Sequence, residues 1–290
     1  MKKPLFTGVC TALVTPFLNG RINYPMMEVL LRRQINAGIS AVVVCGTTGE
    51  SPTLSDEEKL ELFRRCKEYV GKDCLIIAGT GSNSTEHTVS LSKAAQDSGV
   101  DGLLVVSPYY NKATPAGLIA HYRTVAQSVD LPIIVYNVPS RTGVDIPPSV
   151  CKALSEIPNI AGVKEASTDI CKITRIRHLC GEDLPIWSGN DDQTVPVISL
   201  GGAGVISVLS NLFPAETQAM AMAAIAGDFD TAAEFQTHFL PFTDLLFSEV
   251  NPIPVKAAMK RIGYDCGECR LPLCPMSTEN RKKLASVLAR

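Results

Sequence analysis

Short apolar runs, rich in β-branched residues, alternate along the chain with longer stretches in which apolar residues recur every three or four positions. The short runs recur about every 25 to 35 residues, the spacing that strand–helix units require. They are apolar throughout rather than alternating, as expected for parallel strands covered on both faces. The pattern predicts eight strands, at residues 8–14, 41–45, 75–78, 103–106, 133–136, 160–164, 186–188 and 204–208.

The stretches between these runs have helical periodicity and helix-start signals. Ser55 followed by Glu58 is a capping-box pattern, and Phe63 and Cys66 continue it at helical spacing. Pro115 is suited to the first position of another helix. Helices between successive parallel strands therefore complete the strand–helix units.

Eight such units reach to about residue 226, which predicts an α/β fold, a (β/α)8 TIM barrel. No G-x-G-x-x-G sequence follows the first strand, so an open dinucleotide-binding sheet is disfavoured. Helical patterns at 229–247, 254–262 and 278–288 predict a C-terminal helical region over 227–290. We expect residues 1–226 and 227–290 to pack together as one compact unit.

The composition narrows the class of protein further. With 27 basic and 29 acidic residues the net charge is only −2, and charge runs are absent, so nothing indicates nucleic-acid binding. Met1-Lys2-Lys3 is not followed by the apolar segment of a signal peptide, and no stretch approaches the roughly 20 apolar residues of a membrane span. We expect a soluble, cytoplasmic protein.

Ten cysteines are present, but they are scattered along the chain. Cys266, Cys269 and Cys274 form the closest cluster, and no fourth ligand lies nearby at a spacing typical of zinc sites. Reduced thiols and no bound metal are expected.

Lys164 stands at the end of the sixth predicted strand, and catalytic residues of TIM barrels come from such strand ends. Withdrawing an ammonium from water favours the neutral amine, the form that attacks a carbonyl to make a Schiff base. For a lone lysine, a side chain reaching back to water is the simpler explanation.

Other strand ends carry suitable partners. Thr47 and Thr48, within Gly-Thr-Thr-Gly-Glu, can bind a carboxylate, although a threonine-capped turn explains them equally well. Tyr110 and Tyr136 follow two further strands and could pass protons between hydroxyls, although buried tyrosines usually make core contacts. Arg141 can grip a carboxylate by two hydrogen bonds, whereas a single loop arginine is more often solvated.

Two other kinds of chemistry are disfavoured. The glycine-rich segment 201–204 could bind phosphate, but close backbone packing at the barrel mouth is preferred because no second basic residue adjoins it in sequence. All four histidines, His87, His121, His178 and His238, fall in helical stretches rather than at strand ends, which argues against a metal mechanism.

With these residues in view, the chain resembles the dihydrodipicolinate synthases, a group within the pyruvate-dependent class I aldolase and N-acetylneuraminate lyase superfamily. The resemblance runs nearly from end to end. It is carried by the order and spacing of TALVTPF, GTTGE, AGTGSNST, SPYYNK, YNVPSRTG, GVKEAS, WSGND, GGAGVISV and NPIPVK.

The resemblance implies a lyase that condenses pyruvate with L-aspartate-4-semialdehyde, the first committed step of diaminopimelate and lysine biosynthesis. It implies that Lys164 forms the Schiff base and that Thr47 and Thr48 bind the pyruvate carboxylate. Thr48, Tyr136 and Tyr110 would form a proton relay in which Tyr136 is the general acid and base. No cofactor or metal is implied.

The resemblance also implies the rest of the pocket and an assembly. Arg141 would orient the carboxylate of the semialdehyde, and Gly189 and the Ile206 carbonyl would line the pocket. Tyr110 would reach into the site of a neighbouring subunit. The implied assembly is at least a homodimer and commonly a homotetramer.

Two alternatives stand beside this interpretation. N-acetylneuraminate lyase shares the lysine and the tyrosine, but the second threonine and Arg141 directly after Val-Pro-Ser favour the synthase. A non-catalytic barrel that senses an oxo-acid would be expected to lose Lys164 or a relay tyrosine, and this chain has all of them.

One departure concerns regulation. Lysine-inhibited members of the group carry a histidine where this chain has Lys59 and a glutamate where it has His87. A cationic Lys59 repels the ammonium of lysine, and His87 does not replace a carboxylate. Ser51, Asn83 and Tyr109 are retained, so a cleft is expected, but with weak or absent inhibition by lysine.

Overall fold

The structure is a computed structural model that describes residues 1–289; Arg290, the last residue of the expected C-terminal region, lies outside the described residues. Eight parallel strands form a closed barrel, and a short antiparallel hairpin follows the first of them. The strands are β1 (Gly8–Ala12), β2 (Phe17–Leu18), β3 (Arg21–Ile22), β4 (Ala41–Val44), β5 (Leu75–Gly79), β6 (Gly102–Val106), β7 (Ile133–Asn137), β8 (Ile160–Glu165), β9 (Ile186–Ser188) and β10 (Gly204–Ser207).

The barrel closes because β1 pairs with both β10 and β4, and every other barrel strand pairs with its neighbours in sequence. All eight predicted barrel strands are confirmed, with ends that differ by at most two residues. The β2–β3 hairpin was not predicted, since two-residue strands leave no periodic signal.

The helices cover the outside of the barrel, and the C-terminal ones follow it. They are α1 (Tyr24–Asn36), α2 (Asp56–Val70), α3 (Thr85–Asp97), α4 (Pro115–Gln127), α5 (Pro139–Thr142), α6 (Pro148–Ser155), α7 (Ile170–Cys180), α8 (Thr194–Ser199), α9 (Pro214–Ile225), α10 (Phe229–Leu246), α11 (Ile253–Arg261) and α12 (Thr278–Leu288). The predicted capping box is present at the start of α2, where Ser55 and Glu58 each accept the other's backbone N–H. Pro115 opens α4, as predicted.

Alternation along the strands divides the apolar side chains between two layers. One set fills the barrel interior and includes Cys10, Ile77, Tyr136 and Ile206. The larger set points outward and packs under the helices. Because side chains alternate across a strand, neighbours of an inward residue face the outer layer.

The amino end of the barrel is plugged. Phe6 stacks on Trp187 with ring centroids 4.8 Å apart, and the indole N–H donates to the Phe6 carbonyl at 3.2 Å. The Lys2 ammonium donates to the carbonyls of Ile157 and Ile160 at the same end. The carboxyl end is therefore the open face.

The glycine-rich segment lies at the plugged end, because residues 201–204 precede β10 rather than follow it. A Cβ on Gly204 would lie 1.9 Å from the Gly8 carbonyl oxygen, so the preferred explanation of close backbone packing is confirmed. Its expected place at the barrel mouth was wrong. A basic side chain, Arg177, does lie against Gly201, but it donates to the Gly181 carbonyl.

The cysteine cluster lies in the C-terminal region, with unpaired thiols. Burial raises the pKa of the Cys266 and Cys269 thiols to about 12, so both are protonated thiols at neutral pH. No group of three or more His, Cys, Asp or Glu side chains suited to a metal occurs in residues 1–289.

Among the helices described between residues 1 and 289, none combines the length and the apolar character needed to cross a lipid bilayer.

His121 gives the fold a sensitivity to acid. The imidazole is buried between α3 and α4, where its Nδ1 lies 2.9 Å from the Thr85 hydroxyl and its Nε2 has no partner within residues 1–289. Burial lowers the pKa of His121 to about 4. In the unfolded chain a histidine titrates near 6.5. Between these two values the unfolded state alone binds the proton, so stability falls as the pH is lowered.

We expect the free energy of unfolding to fall by about 2 kcal/mol through His121 between pH 7.5 and pH 5. Urea unfolding of the wild-type protein and of His121→Gln at both pH values measures it. Glutamine does not titrate, so the variant should lose about 2 kcal/mol less than the wild type over this interval. Equal losses in the two proteins would contradict the assignment.

Candidate active site

Lys164 lies at the carboxyl end of β8 and points into the barrel, with its side chain 5% exposed. Its register partner on β7 is Tyr136, and the Lys164 ammonium lies over the Tyr136 ring, 4.3 Å from the ring centroid. Within residues 1–289 no carboxylate oxygen lies within 4 Å of its Nζ. The other three buried lysines each have such a partner: Lys59 with Asp56, Lys172 with Glu165, and Lys256 with Glu50.

An unpaired buried lysine is unusual, because burying a charge without a partner is costly. A lysine that no carboxylate holds is free to act as the amine nucleophile of Schiff-base chemistry. The pairing pattern therefore distinguishes Lys164 from the structural lysines of the same fold.

A cavity of about 130 Å³ lies above Lys164 at the open end of the barrel. Six of the predicted site residues line it: Thr47, Thr48, Tyr136, Arg141, Lys164 and Gly189. Ile206 is fully buried inside the barrel beneath, and its neighbour Val208 is part of the lining. Tyr110 and Ile206 are the two predicted residues that are not part of the lining.

A second, larger cleft of about 530 Å³ adjoins the cavity. The two share lining residues, among them Thr47, Tyr136, Arg141 and Asn251. Arg141 sits at this junction in the short helix α5, with an exposed side chain. It can reach a carboxylate in the cleft while Lys164 holds a ligand in the cavity.

The loop 46–50 carries the two threonines and is firmly held. The Thr15 hydroxyl donates to the Gly49 carbonyl at 2.7 Å. Glu50 has a left-handed backbone (φ +57°), and its buried carboxylate accepts hydrogen bonds from the Lys256 ammonium at 2.7 Å and the Arg270 amide at 2.9 Å. A strained conformation persists only where surrounding contacts over-determine it.

Gly189 makes room for the lysine. A Cβ at this position would lie 2.5 Å from Ala166 Cβ and 3.1 Å from Lys164 Cε. Any larger residue would push against the lysine side chain, so glycine is required by space rather than by backbone conformation.

Asp191 follows two residues later and is buried beside the site. Its Oδ2 accepts from the amides of Val208 and Leu209, while Oδ1 has no partner in residues 1–289. Burial raises the pKa of the Asp191 carboxyl, and the Ser207 hydroxyl, the two amides and the charge of Lys164 act in the opposite direction.

A polar network lies behind the two inward-pointing residues, in the outer layer. Asn137 and Glu165 directly follow Tyr136 and Lys164, and the Asn137 amide donates to Glu165 at 2.8 Å. The Lys172 ammonium contacts Glu165 at 3.2 Å. The network fixes the ends of β7 and β8, and so the positions of the side chains that point inward.

Tyr110 is 83% exposed and does not line the cavity. Its backbone is left-handed (φ +77°), which is rare for a tyrosine and holds the ring away from its own barrel. Thr48 and Tyr136 are thus brought to one cavity, and the third expected member of the relay is not.

No role was predicted for Asn251, Lys256 or Asp191. Asn251 and Lys256 lie in Asn-Pro-Ile-Pro-Val-Lys, a segment whose resemblance was noted, yet only their contacts with Thr48 and Glu50 reveal a function. Asp191 lies in Trp-Ser-Gly-Asn-Asp and could have been noticed as an acid that follows a buried strand.

The larger cleft contains the two positions that depart from lysine-inhibited proteins. Lys59 and His87 both contact Asp56, at 3.1 Å and 2.7 Å. The His87 hydrogen bond, with help from Lys59, holds the pKa of the Asp56 carboxyl below its usual range. Because Asp56 offsets the charge of Lys59, the ammonium of a bound lysine would be repelled less than expected. Both carboxylate oxygens of Asp56 are already occupied, however, one by Lys59 and the other by His87.

We therefore expect little inhibition by L-lysine, because the cleft offers its ammonium no free carboxylate. Initial rates measured over a lysine titration test this. Strong inhibition at submillimolar lysine would contradict it. The double variant Lys59→His with His87→Glu restores both residues of the inhibited proteins and should be more sensitive than the wild type.

Comparison with known proteins agrees with this geometry. The model of the Dihydrodipicolinate synthetase family matches residues 5–290. The 4-hydroxy-tetrahydrodipicolinate synthase of Caldicellulosiruptor saccharolyticus is 48% identical over 286 residues, which cover 98% of this chain and 97% of that protein.

Solved structures give the same result. Dihydrodipicolinate synthase from Aquifex aeolicus superposes with a TM-score of 0.96 at 44% identity, covering 98% of this chain and 97% of that one. The chloride-inhibited dihydrodipicolinate synthase from Acinetobacter baumannii, solved in complex with pyruvate, has a TM-score of 0.96 at 38% identity, covering 98% of both chains. The chain belongs to the dihydrodipicolinate synthetase family.

Proposed function

We propose that this protein condenses pyruvate with L-aspartate-4-semialdehyde through a Schiff base on Lys164, the reaction of 4-hydroxy-tetrahydrodipicolinate synthases and the first committed step of diaminopimelate and lysine biosynthesis. One observation carries the proposal. Lys164 is a buried lysine without a carboxylate partner in residues 1–289, and it lies against Tyr136 in a small cavity at the open end of the barrel.

The cavity suits pyruvate in size and chemistry. Its volume of about 130 Å³ accommodates a three-carbon acid. Thr47 and Thr48 line it with hydroxyls, and these side chains bind the pyruvate carboxylate in our proposal. That arrangement directs the ketone carbon towards the Lys164 amine, while Gly189 and the Ile206 carbonyl bound the pocket.

The first half of the reaction makes the nucleophile. The Lys164 amine adds to the ketone carbon of pyruvate, and the carbinolamine loses water to form an iminium. Tyr136 supplies the proton that the departing water needs. The iminium withdraws electrons from the adjacent methyl group, which loses a proton and becomes an enamine. A neutral phenol moves these protons without leaving a permanent charge beside the iminium.

The second half joins the two substrates. Arg141 holds the semialdehyde carboxylate by charge-assisted hydrogen bonds at the junction of cavity and cleft. The enamine carbon attacks the aldehyde carbon, and the aldehyde oxygen takes up a proton. The amine of the semialdehyde then attacks the iminium carbon, closes the ring and releases Lys164. Tyr136 again gives and recovers the proton.

The proposal extends to the assembly, the cofactors and the location of the protein. Tyr110 completes the relay with Thr48 and Tyr136 in a neighbouring subunit, which its exposure and strained backbone support, so the working form is a homodimer or a homotetramer. The lysine imine serves as the electron sink, so no other cofactor or metal takes part. The barrel and the helical region act as one catalytic unit. The protein works in the cytoplasm, whose reducing conditions suit its ten unpaired cysteines.

Borohydride reduction in the presence of pyruvate tests the mechanism. Reduction should add a pyruvate-derived mass to one peptide, the one that contains Lys164. Modification elsewhere, or none, would refute the proposal. A parallel assay with pyruvate and L-aspartate-4-semialdehyde, against cleavage of N-acetylneuraminate, decides between the synthase and the lyase reaction.

A further inference from the structure

Asn251 links the C-terminal region to the proton relay. It lies between α10 and α11, its side chain is buried, and it lines both the cavity and the cleft. Its Nδ2 donates a hydrogen bond to Thr48 Oγ1 at 2.9 Å across 203 residues of sequence. A residue beyond the barrel therefore touches a side chain proposed to bind substrate.

The chemistry of this contact has a direction. An amide NH₂ group can only donate, so the Thr48 oxygen must be the acceptor. The hydroxyl has one proton, and that proton is not used in the contact with Asn251. Within residues 1–289 the Thr48 hydroxyl makes no other hydrogen bond, so its proton can be donated into the cavity.

The carbonyl oxygen of the Asn251 amide supports the assignment of the Thr48 hydroxyl as a donor into the cavity. Asn251 Oδ1 is buried and has no partner in residues 1–289. An unpartnered buried acceptor is unfavourable and calls for an explanation. Retaining an amide here, in spite of that cost, is explained if its N–H group is needed by Thr48.

The loop cannot simply turn away from Asn251. Two residues after Thr48, Glu50 is fixed by Lys256 of α11 and by the Arg270 amide. The C-terminal region therefore holds the loop at Thr48 and at Glu50. The first contact orients a hydroxyl, and the second holds the backbone that carries it.

We infer that Asn251 is a positioning residue, which rests on the proposed function: it keeps the Thr48 hydroxyl a donor towards bound pyruvate and Tyr136, and so sets the direction of the proton relay. Asn251 does not touch the reacting atoms in this assignment. It acts through Thr48, and its effect should disappear when the Thr48 hydroxyl is absent.

Asn251→Asp is the informative substitution, because aspartate has the same shape but its carboxylate only accepts. The Thr48 proton would then be donated to Asp and lost to the relay. We expect kcat to fall about tenfold to a hundredfold. Borohydride trapping with pyruvate should still label Lys164, since the lysine is untouched, and thermal unfolding checks that the variant is folded.

A double-mutant cycle with Thr48→Val separates this role from a structural one. In the Thr48→Val background, Asn251→Asp should change kcat by less than about twofold, because no hydroxyl remains to be oriented. A general disturbance of the pocket, or repulsion between the new carboxylate and pyruvate, would persist in that background. If Asn251→Asp does not fold, Asn251→Ala is used in the same cycle, with a smaller expected loss.

Two results would overturn the inference: wild-type kcat in a folded Asn251→Asp, or the same loss of kcat with and without the Thr48 hydroxyl. In both cases the wild-type protein still turns over pyruvate and the semialdehyde. Failure of the proposed function is different, because the wild-type protein would then show no turnover and no reduced pyruvate adduct. That result would overturn the role of Asn251 as well.

Discussion

Lys164→Met is expected to lower turnover by at least about 10³-fold and to abolish trapping of pyruvate by borohydride. Methionine fills nearly the same volume and stays in the apolar surround, so the barrel should remain folded. What is lost is the amine, and with it the covalent step that makes the pyruvate methyl group acidic. Steady-state rates and the mass of the borohydride-treated protein measure the two effects.

Lys59→Met is the matched control. Lys59 is also a buried lysine, but it lines the larger cleft and pairs with Asp56. The control should retain the pyruvate adduct and most of its turnover. An adduct that survives in Lys164→Met would show that another amine carries the chemistry.

Lys256→Met is expected to have the largest effect on stability. It would leave the Glu50 carboxylate, which is 1% exposed, without the ammonium that now lies 2.7 Å away. Breaking a buried ion pair by removing one partner costs about 3–5 kcal/mol, because the other charge stays buried. The contact of the Lys256 ammonium with the Phe17 ring, at 4.4 Å, is lost as well. Because Glu50 anchors the loop of Thr47 and Thr48, turnover should also fall.

Denaturant unfolding compares this variant with Glu50→Gln combined with Lys256→Met. The double variant leaves no unpaired charge and should recover part of the lost free energy of unfolding. If the double variant is the less stable of the two, the unpaired carboxylate is not the cause of the loss.

The barrel itself was predictable because its signals are local. Each parallel strand after β1 is an apolar run that follows a helix, and the capping box at Ser55 and Glu58 marks a helix start within four residues. The pairing of Tyr136 with Lys164 is not such a local signal, because it depends on a register shift between β7 and β8 next to Ile133. A regular ladder from the pair Ile133 and Ile160 would place Val163 opposite Tyr136.

The contacts that could not be predicted join residues that lie far apart in sequence. Nothing near Asn251 indicates that it meets Thr48, or that Lys256 meets Glu50 and so differs from Lys164. The pairing state of a buried lysine is a property of the folded surroundings, which periodicity does not encode. Tyr110 is a similar case, since its exposure in one chain follows from a left-handed turn that few residues other than glycine adopt.

Phe6 and Trp187 stack on each other and close the amino end of the barrel, so they also determine the end through which ligands reach the site. Because the amino end is closed, a molecule that reaches Lys164 enters and leaves through the open carboxyl end of the barrel, where Arg141 lies. In our proposed function pyruvate therefore binds first, because a semialdehyde bound at the junction would block the way to Lys164. We expect an ordered addition of the two substrates, followed by release of the cyclic product, as the kinetic consequence of a barrel that is closed at one end.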